Sequence, residues 1–211
     1  MSSPELDGLI VEHLADLDRT AARISGIETV VFTAMGEKAE TWAKKYGWVS
    51  DFDYPEGGWF GWGAWVAPPD WRTADTLPTA KKFDGNFYLS CGAGDTEDGK
   101  DGEDRFFLTR LCRVGAGQIG LRFDRPDFVK PKQWKQAVPR LAELVRHTRF
   151  VLDENPSFFL PVTIEAAALA QALRDEDIGA ALAPFEVALE ALVAAKPAFD
   201  QVLQLLRSPS S

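Results

Sequence analysis

The stretch Phe83–Asp124 reads FDGNFYLSCGAG, then the acidic run DTEDGKDGED, then RFFLTRLCRV, GAG and QIGLRFD. Alternation decides its reading. Phe87, Leu89, Cys91 and Ala93 share one parity; so do Phe106, Leu108, Arg110, Cys112 and Val114, and again Ile119, Leu121 and Phe123. Successive side chains of a strand point to opposite faces, so each set marks one face of a strand. Gln118, Gly120, Arg122 and Asp124 fall on the other face of the third run, the pattern of a half-buried strand. Three antiparallel strands are expected. The middle one is expected to be central, because Phe107 and Leu111 give it apolar bulk on both faces. Gly115-Ala116-Gly117 suits a short hairpin link. Asp95–Asp104 reads as a charged, solvated loop, with Cys91 and Cys112 as buried, reduced thiols on the core parity.

Working outward, residues 5–24 read as an amphipathic helix. Leu6, Ile10, Leu14, Leu17, Ala21 and Ile24 recur at spacings of three and four. Ser3 and Pro4 suit its start, and Gly26 its end. His13 flanks the stripe. Thr29–Met35 is β-branched and apolar, and is expected as a short strand before a helix over 37–46 closed by Gly47; a helix through the whole of 29–46 is the alternative. Trp48–Trp71 holds five of the seven tryptophans. Trp59, Trp62 and Trp65 offer an aromatic platform for a sugar, a nucleobase or a partner, or else large rings packed on an edge strand.

On the C-terminal side, a helix is expected from Pro131, with Trp134, Val138, Leu141 and Val145 inside and Pro139 kinking or restarting it. Phe158–Ile164 reads as a last strand, placed at an edge by Pro161. Helices are expected over 165–174, 177–195 and 198–207, with a break at Lys196-Pro197. The fold class is therefore α+β: a central, mostly antiparallel sheet of four to six strands packed by an N-terminal helix and C-terminal helices. Residues 1–164 form the α+β domain, and 165–207 a helical segment packed on it.

Charge is unevenly placed in a chain of net charge −9. Residues 1–104 hold 9 Lys/Arg and 20 Asp/Glu, 105–149 hold 11 and 3, and 150–211 hold 3 and 9. The basic middle is either an anion-binding face or the internal partner of the acidic segments. On the strand register, Arg105, Arg113 and Arg122 lie opposite the core face and are expected to converge on one patch, with Arg125, Lys130, Lys132 and Lys135 following. Arg110 stands where an apolar residue is expected, so it needs a carboxylate, a rim position or a pocket.

Sequence patterns for catalysis are absent. The two cysteines and two histidines are scattered, without the clustered spacing of a zinc site. The acidic loop misses the ligand order of an EF-hand in every register. GAGD and GAGQIG are neither a dinucleotide fingerprint nor a P-loop, and no GxSxG elbow occurs. Carboxylates pair at Asp51/Asp53 with Glu56, and at Asp153/Glu154. The order helix, three or four strands, helix, strand is similar to the core of the PD-(D/E)XK nuclease superfamily. The run that would carry that family's E-x-K strand reads RFFLTRLCRV and lacks it, so no residue roles carry over.

The N-terminal residues MSSPELDGLIVEHLADLD are acidic and lack the apolar core of a signal peptide. No run approaches the roughly 18 apolar residues of a membrane span. Two cysteines fit a reducing cytosol. The expectation is a cytoplasmic, non-enzymatic interaction or inhibitor protein, immunity-like, that binds another protein and neither membrane, nucleic acid, cofactor nor metal. A hydrolase or nuclease-fold protein holding an anionic substrate on residues 105–149, and a carbohydrate-binding module using the tryptophans, are the alternatives. The residues expected to contact a partner or ligand are Trp59, Trp62, Trp65, Arg105, Arg110, Arg113 and Arg122.

Overall fold

A computed structural model describes residues 3–52, 64–74, 82–91, 106–115, 117–153 and 156–208. In chain order the elements are α1 (Pro4–Glu12), α2 (Leu14–Tyr46), β1 (Val49–Phe52), β2 (Ala64–Ala67), β3 (Phe87–Cys91), α3 (Phe107–Leu111), β4 (Ile119–Phe123), α4 (Pro131–Val145), β5 (Val151–Leu152), β6 (Phe158–Val162), α5 (Ala166–Arg174), α6 (Ile178–Ala181) and α7 (Ala183–Arg207). The strands form one sheet in the order β1-β2-β3-β4-β6-β5, every pair antiparallel. The fold is α+β, with α2 from Glu28 onward and the C-terminal helix α7 packed on the sheet.

Two of the three strands in the opening stretch form as read, and they pair directly: Leu89 faces Leu121 and Cys91 faces Ile119. The middle run does not become a strand. Phe107–Leu111 is a single helical turn and a half. Its apolar residues Phe107, Leu108, Leu111 and Cys112 fit a helix as well as a strand, and Leu111 is fully buried. Two tertiary bonds hold the turn in place. The Leu108 amide donates to the carboxylate of buried Glu28 (3.1 Å), and the Ile164 amide donates to the Leu111 carbonyl (3.0 Å). A carboxylate at a helix N-terminus satisfies an amide with no partner within the helix and faces the positive end of the backbone dipoles.

Residues 29–46 are also helical throughout. Thr29–Met35 belongs to the 33-residue α2, which runs past Gly26 and ends at Gly47. The β-branched run is overridden by its burial pattern. Val31, Met35, Ala39 and Trp42 are buried at helical spacing while Val30 points to solvent. Gly47 takes φ 68°, the left-handed closure in which glycine carries no Cβ penalty.

One face of the sheet carries Val66, Phe87, Leu89, Ile119, Leu121, Phe123, Phe158, Leu160 and Val162 into the core. Helix α7 lies against it, with Phe185, Leu189, Leu192, Phe199, Val202 and Leu203 all buried. That unbroken stripe explains why α7 continues through Pro197 where a break is expected. The cost of an interior proline, about 3 kcal/mol, is outweighed by burial on both sides of it. Helix α4 likewise runs through Pro139 without ending.

Strand β6 is not at the edge, since β5 lies beyond it. Among the described residues, however, β5 pairs with Phe158 and Phe159 and no further. Pro161, facing Gly120 of β4, therefore has no β5 neighbour to donate to. Gly120 is required by close approach: a Cβ built there falls 2.2 Å from the Leu160 carbonyl oxygen.

Candidate functional site

Arg122 alternates with the core residues of β4 and so projects from the opposite face of the sheet, yet it is 6% exposed. Its guanidinium reaches Asp153 at 2.8 Å, donates from Nε to Ser90 Oγ at 3.2 Å and from a terminal nitrogen to Ser157 Oγ, and lies 4.9 Å above the Phe159 ring. Four groups thus compensate a charge that burial would otherwise disfavour. Asp153, one of the carboxylates singled out by sequence, is the ionic partner, placed directly after β5.

The other arginines are placed separately. Arg113 is exposed in the turn after α3 with φ 52°, and Arg110 is half-buried on α3 itself. Neither is on a strand, so the expected convergence of Arg113 with Arg122 on neighbouring strands is not formed. Arg105 lies outside the described residues, as do Trp59, Trp62, Asp53, Glu56, Glu154 and the loop 95–104. Trp65 is 7% exposed on β2, its ring tilted against Phe83 at 5.3 Å. Cys112 is a free thiol, half-buried beside α3 and not in the sheet core, and burial raises its pKa. The side chain of Cys91 lies outside the described set. Among the described residues, no group of three or more His, Cys, Asp or Glu side chains is placed to hold a metal ion, and no helix is long and apolar enough to cross a membrane.

Two surface features stand out that the charge argument did not reach. The first is the N-terminal helical arm. Every residue from Ser3 to Thr20 is exposed. The stripe read from sequence is present, but nothing among the described residues covers it: Leu6 is 55% exposed, Ile10 41%, Leu14 60% and Leu17 46%. The arm is nearly continuous with α2. His13 interrupts the assigned helix, but its amide still donates to Leu9 O (3.1 Å) and its carbonyl accepts from Leu17 N (3.0 Å). From Glu28 onward the same face is buried against the body of the protein. Residues 4–20 carry five acids and one arginine.

The second is a groove of about 650 Å³ between α4 and the end of α7. Phe128, Val129, Ala137, Leu205 and Leu206 give it apolar walls, and Arg140 and Arg207 line it with cations. Phe128 and Leu205 remain 44% and 38% exposed. Around it, residues 130–149 carry six Lys/Arg and one Glu. Arg207 is held at the groove by Asp84, at 2.5 and 3.0 Å.

Sequence reasoning located the stripe of the arm but assigned its face to the interior. The groove had no sequence signal beyond the basic composition of the segment that forms one wall. No family model, no curated protein and no solved structure matches the chain.

Proposed function

We propose that this protein is a non-enzymatic cytosolic interaction protein, of the inhibitor or immunity-like kind, that binds another protein chain through the apolar, acid-flanked face of its N-terminal arm. The observation that carries the reading is the exposure of Leu6, Ile10, Leu14 and Leu17 along one helical stripe. Contiguous exposed apolar surface rimmed by polar residues is the mark of an interaction site. Presented on a helix at this spacing, it is the apolar face that lies in a hydrophobic groove of a partner. The acids of the arm favour a basic protein surface over an anionic membrane, which attracts helices rich in Lys and Arg. The free Cys112 thiol accords with a reducing compartment.

The test is removal of residues 1–20. Because no described residue covers the apolar stripe of this segment, the truncated protein is expected to melt within a few degrees of the full chain. It is expected to lose the binding that the full chain shows in calorimetry with a partner captured from its own cell extract. A partner bound equally well by both forms overturns the reading.

A further inference from the structure

The direction of the helices bears on what the arm can reach. Lys38 of α2 meets Glu186 at the start of α7 (2.5 Å), and Lys45 meets Glu190 (3.1 Å). Both chains advance between the two contacts, so α2 and α7 run in the same sense. The arm therefore extends past the beginning of α7, and the groove lies at its end. Leu17 precedes Lys38 by 21 residues and Leu205 follows Glu186 by 19. At 1.5 Å per residue these are separated along the helices by about 60 Å. An arm cannot fill the groove of its own molecule while α2 stays helical.

We propose that the arm of one copy docks in the α4–α7 groove of a second copy. The stripe Leu6, Ile10, Leu14 and Leu17 meets the apolar walls at Phe128, Ala137 and Leu205. The arm's acids face the cations of α4, including Arg140. This rests on the reading of the arm as an interaction surface and names its occupant. Charge complementarity selects the groove over a second arm, since two arms bring like charges together, whereas the arm and α4 are opposite in sign. Length agrees as well: α4 spans 15 residues and the stripe from Leu6 to Leu17 spans 12. Two copies placed side by side in opposite directions bring each arm to the other's groove, closing a two-fold dimer with both contacts satisfied.

The experiment is sedimentation velocity on the full chain over a wide concentration range, at low and high salt. Two variants accompany it, one changed in the arm (Ile10→Asp/Leu14→Asp) and one in the groove (Arg140→Glu/Leu205→Asp). All four sites are solvent-exposed, and thermal melting checks that both variants fold. Wild type is expected to dimerise and to dissociate as salt rises, and each variant is expected to weaken the dimer by roughly tenfold or more. An equimolar mixture of the two variants is expected to form heterodimers, because it restores one intact arm and one intact groove. A groove variant that dimerises like wild type overturns the proposal in favour of arm-to-arm pairing. A wild-type chain that is monomeric throughout overturns it too, while leaving the arm as a binding surface for a different protein.

Discussion

Phe87 of β3 and Phe199 of α7 meet edge to face, ring centroids 5.0 Å apart and planes at 88°. Both are fully buried, and between them they touch Trp48, Trp71, Phe123, Phe150 and Phe158. Strand, loop and C-terminal helix thus share one aromatic cluster. Phe199→Ala is expected to cost about 3–5 kcal/mol, by lost transfer energy plus the cavity left behind. Denaturant unfolding followed by Trp fluorescence and by helical circular dichroism measures this. The two signals are expected to shift together. A loss under about 1 kcal/mol, or helical signal lost ahead of fluorescence, would contradict the packing described.

Removing one member of the Arg122–Asp153 pair leaves the other buried. Asp153→Ala is expected to destabilise by about 3 kcal/mol, and Arg122→Met/Asp153→Leu to recover most of that, because the uncompensated charge is then absent. Chemical denaturation of the single and double variants decides it. A double variant as unstable as Asp153→Ala would show that the arginine contributes more than charge balance at this position.

Gly120→Ala places a methyl group against the β6 backbone at Leu160, where no side-chain rotation relieves the clash. A loss of about 3 kcal/mol or more is expected, at the upper end for overpacking. Thermal melting of the variant tests it, and a wild-type melting temperature would refute the register between Gly120 and Pro161.

Lys196 ties α7 to the segment that follows β2. It contacts Asp70 at 2.7 Å and Asp200 at 2.9 Å, and Asp200 also accepts from the Trp71 indole at 2.6 Å. Burial lowers the lysine pKa, but hydrogen bonds and charge from Asp70 and Asp200 outweigh it, and the net shift is upward from 10.5. A raised pKa means the folded state holds the proton more tightly. The contribution is therefore complete below 10.5 and is lost as pH rises through the folded-state value. The stability difference between wild type and Lys196→Met is expected to be flat from neutral pH to about 10 and to shrink above it. A difference that stays constant through this alkaline range would contradict the raised lysine pKa.

The sheet was legible where alternation was long and clean, at Phe87–Cys91 and Ile119–Phe123. It was misread at Phe107–Leu111, because five residues with apolar groups one and four apart satisfy both periods. Placing that run in the sheet also placed Arg113 beside Arg122. Thr29–Met35 misled in a related way: β-branched composition is a weak preference, and the 3–4 spacing from Val31 to Trp42 prevailed over it. The arm shows a different limit. Its periodicity gives a helix with an apolar face, but whether that face meets the body depends on where α2 leaves it, which is settled by contacts from Glu28 onward. The Lys196 network and the Asp153 partner of Arg122 join residues 126 and 31 positions apart, and local spacing carries no trace of either.

The short β5 has a consequence for how copies of this chain can meet. An edge strand with a row of unpaired backbone groups invites a strand from a neighbour, and such additions grow without limit. Here the outer strand offers two residues, and the next step of β6 presents Pro161, which has no amide hydrogen to give. A neighbouring strand finds no continuous ladder to extend at this edge. Open-ended β-stacking of copies is thereby disfavoured at the β5 edge, while β1 forms the opposite edge of the sheet.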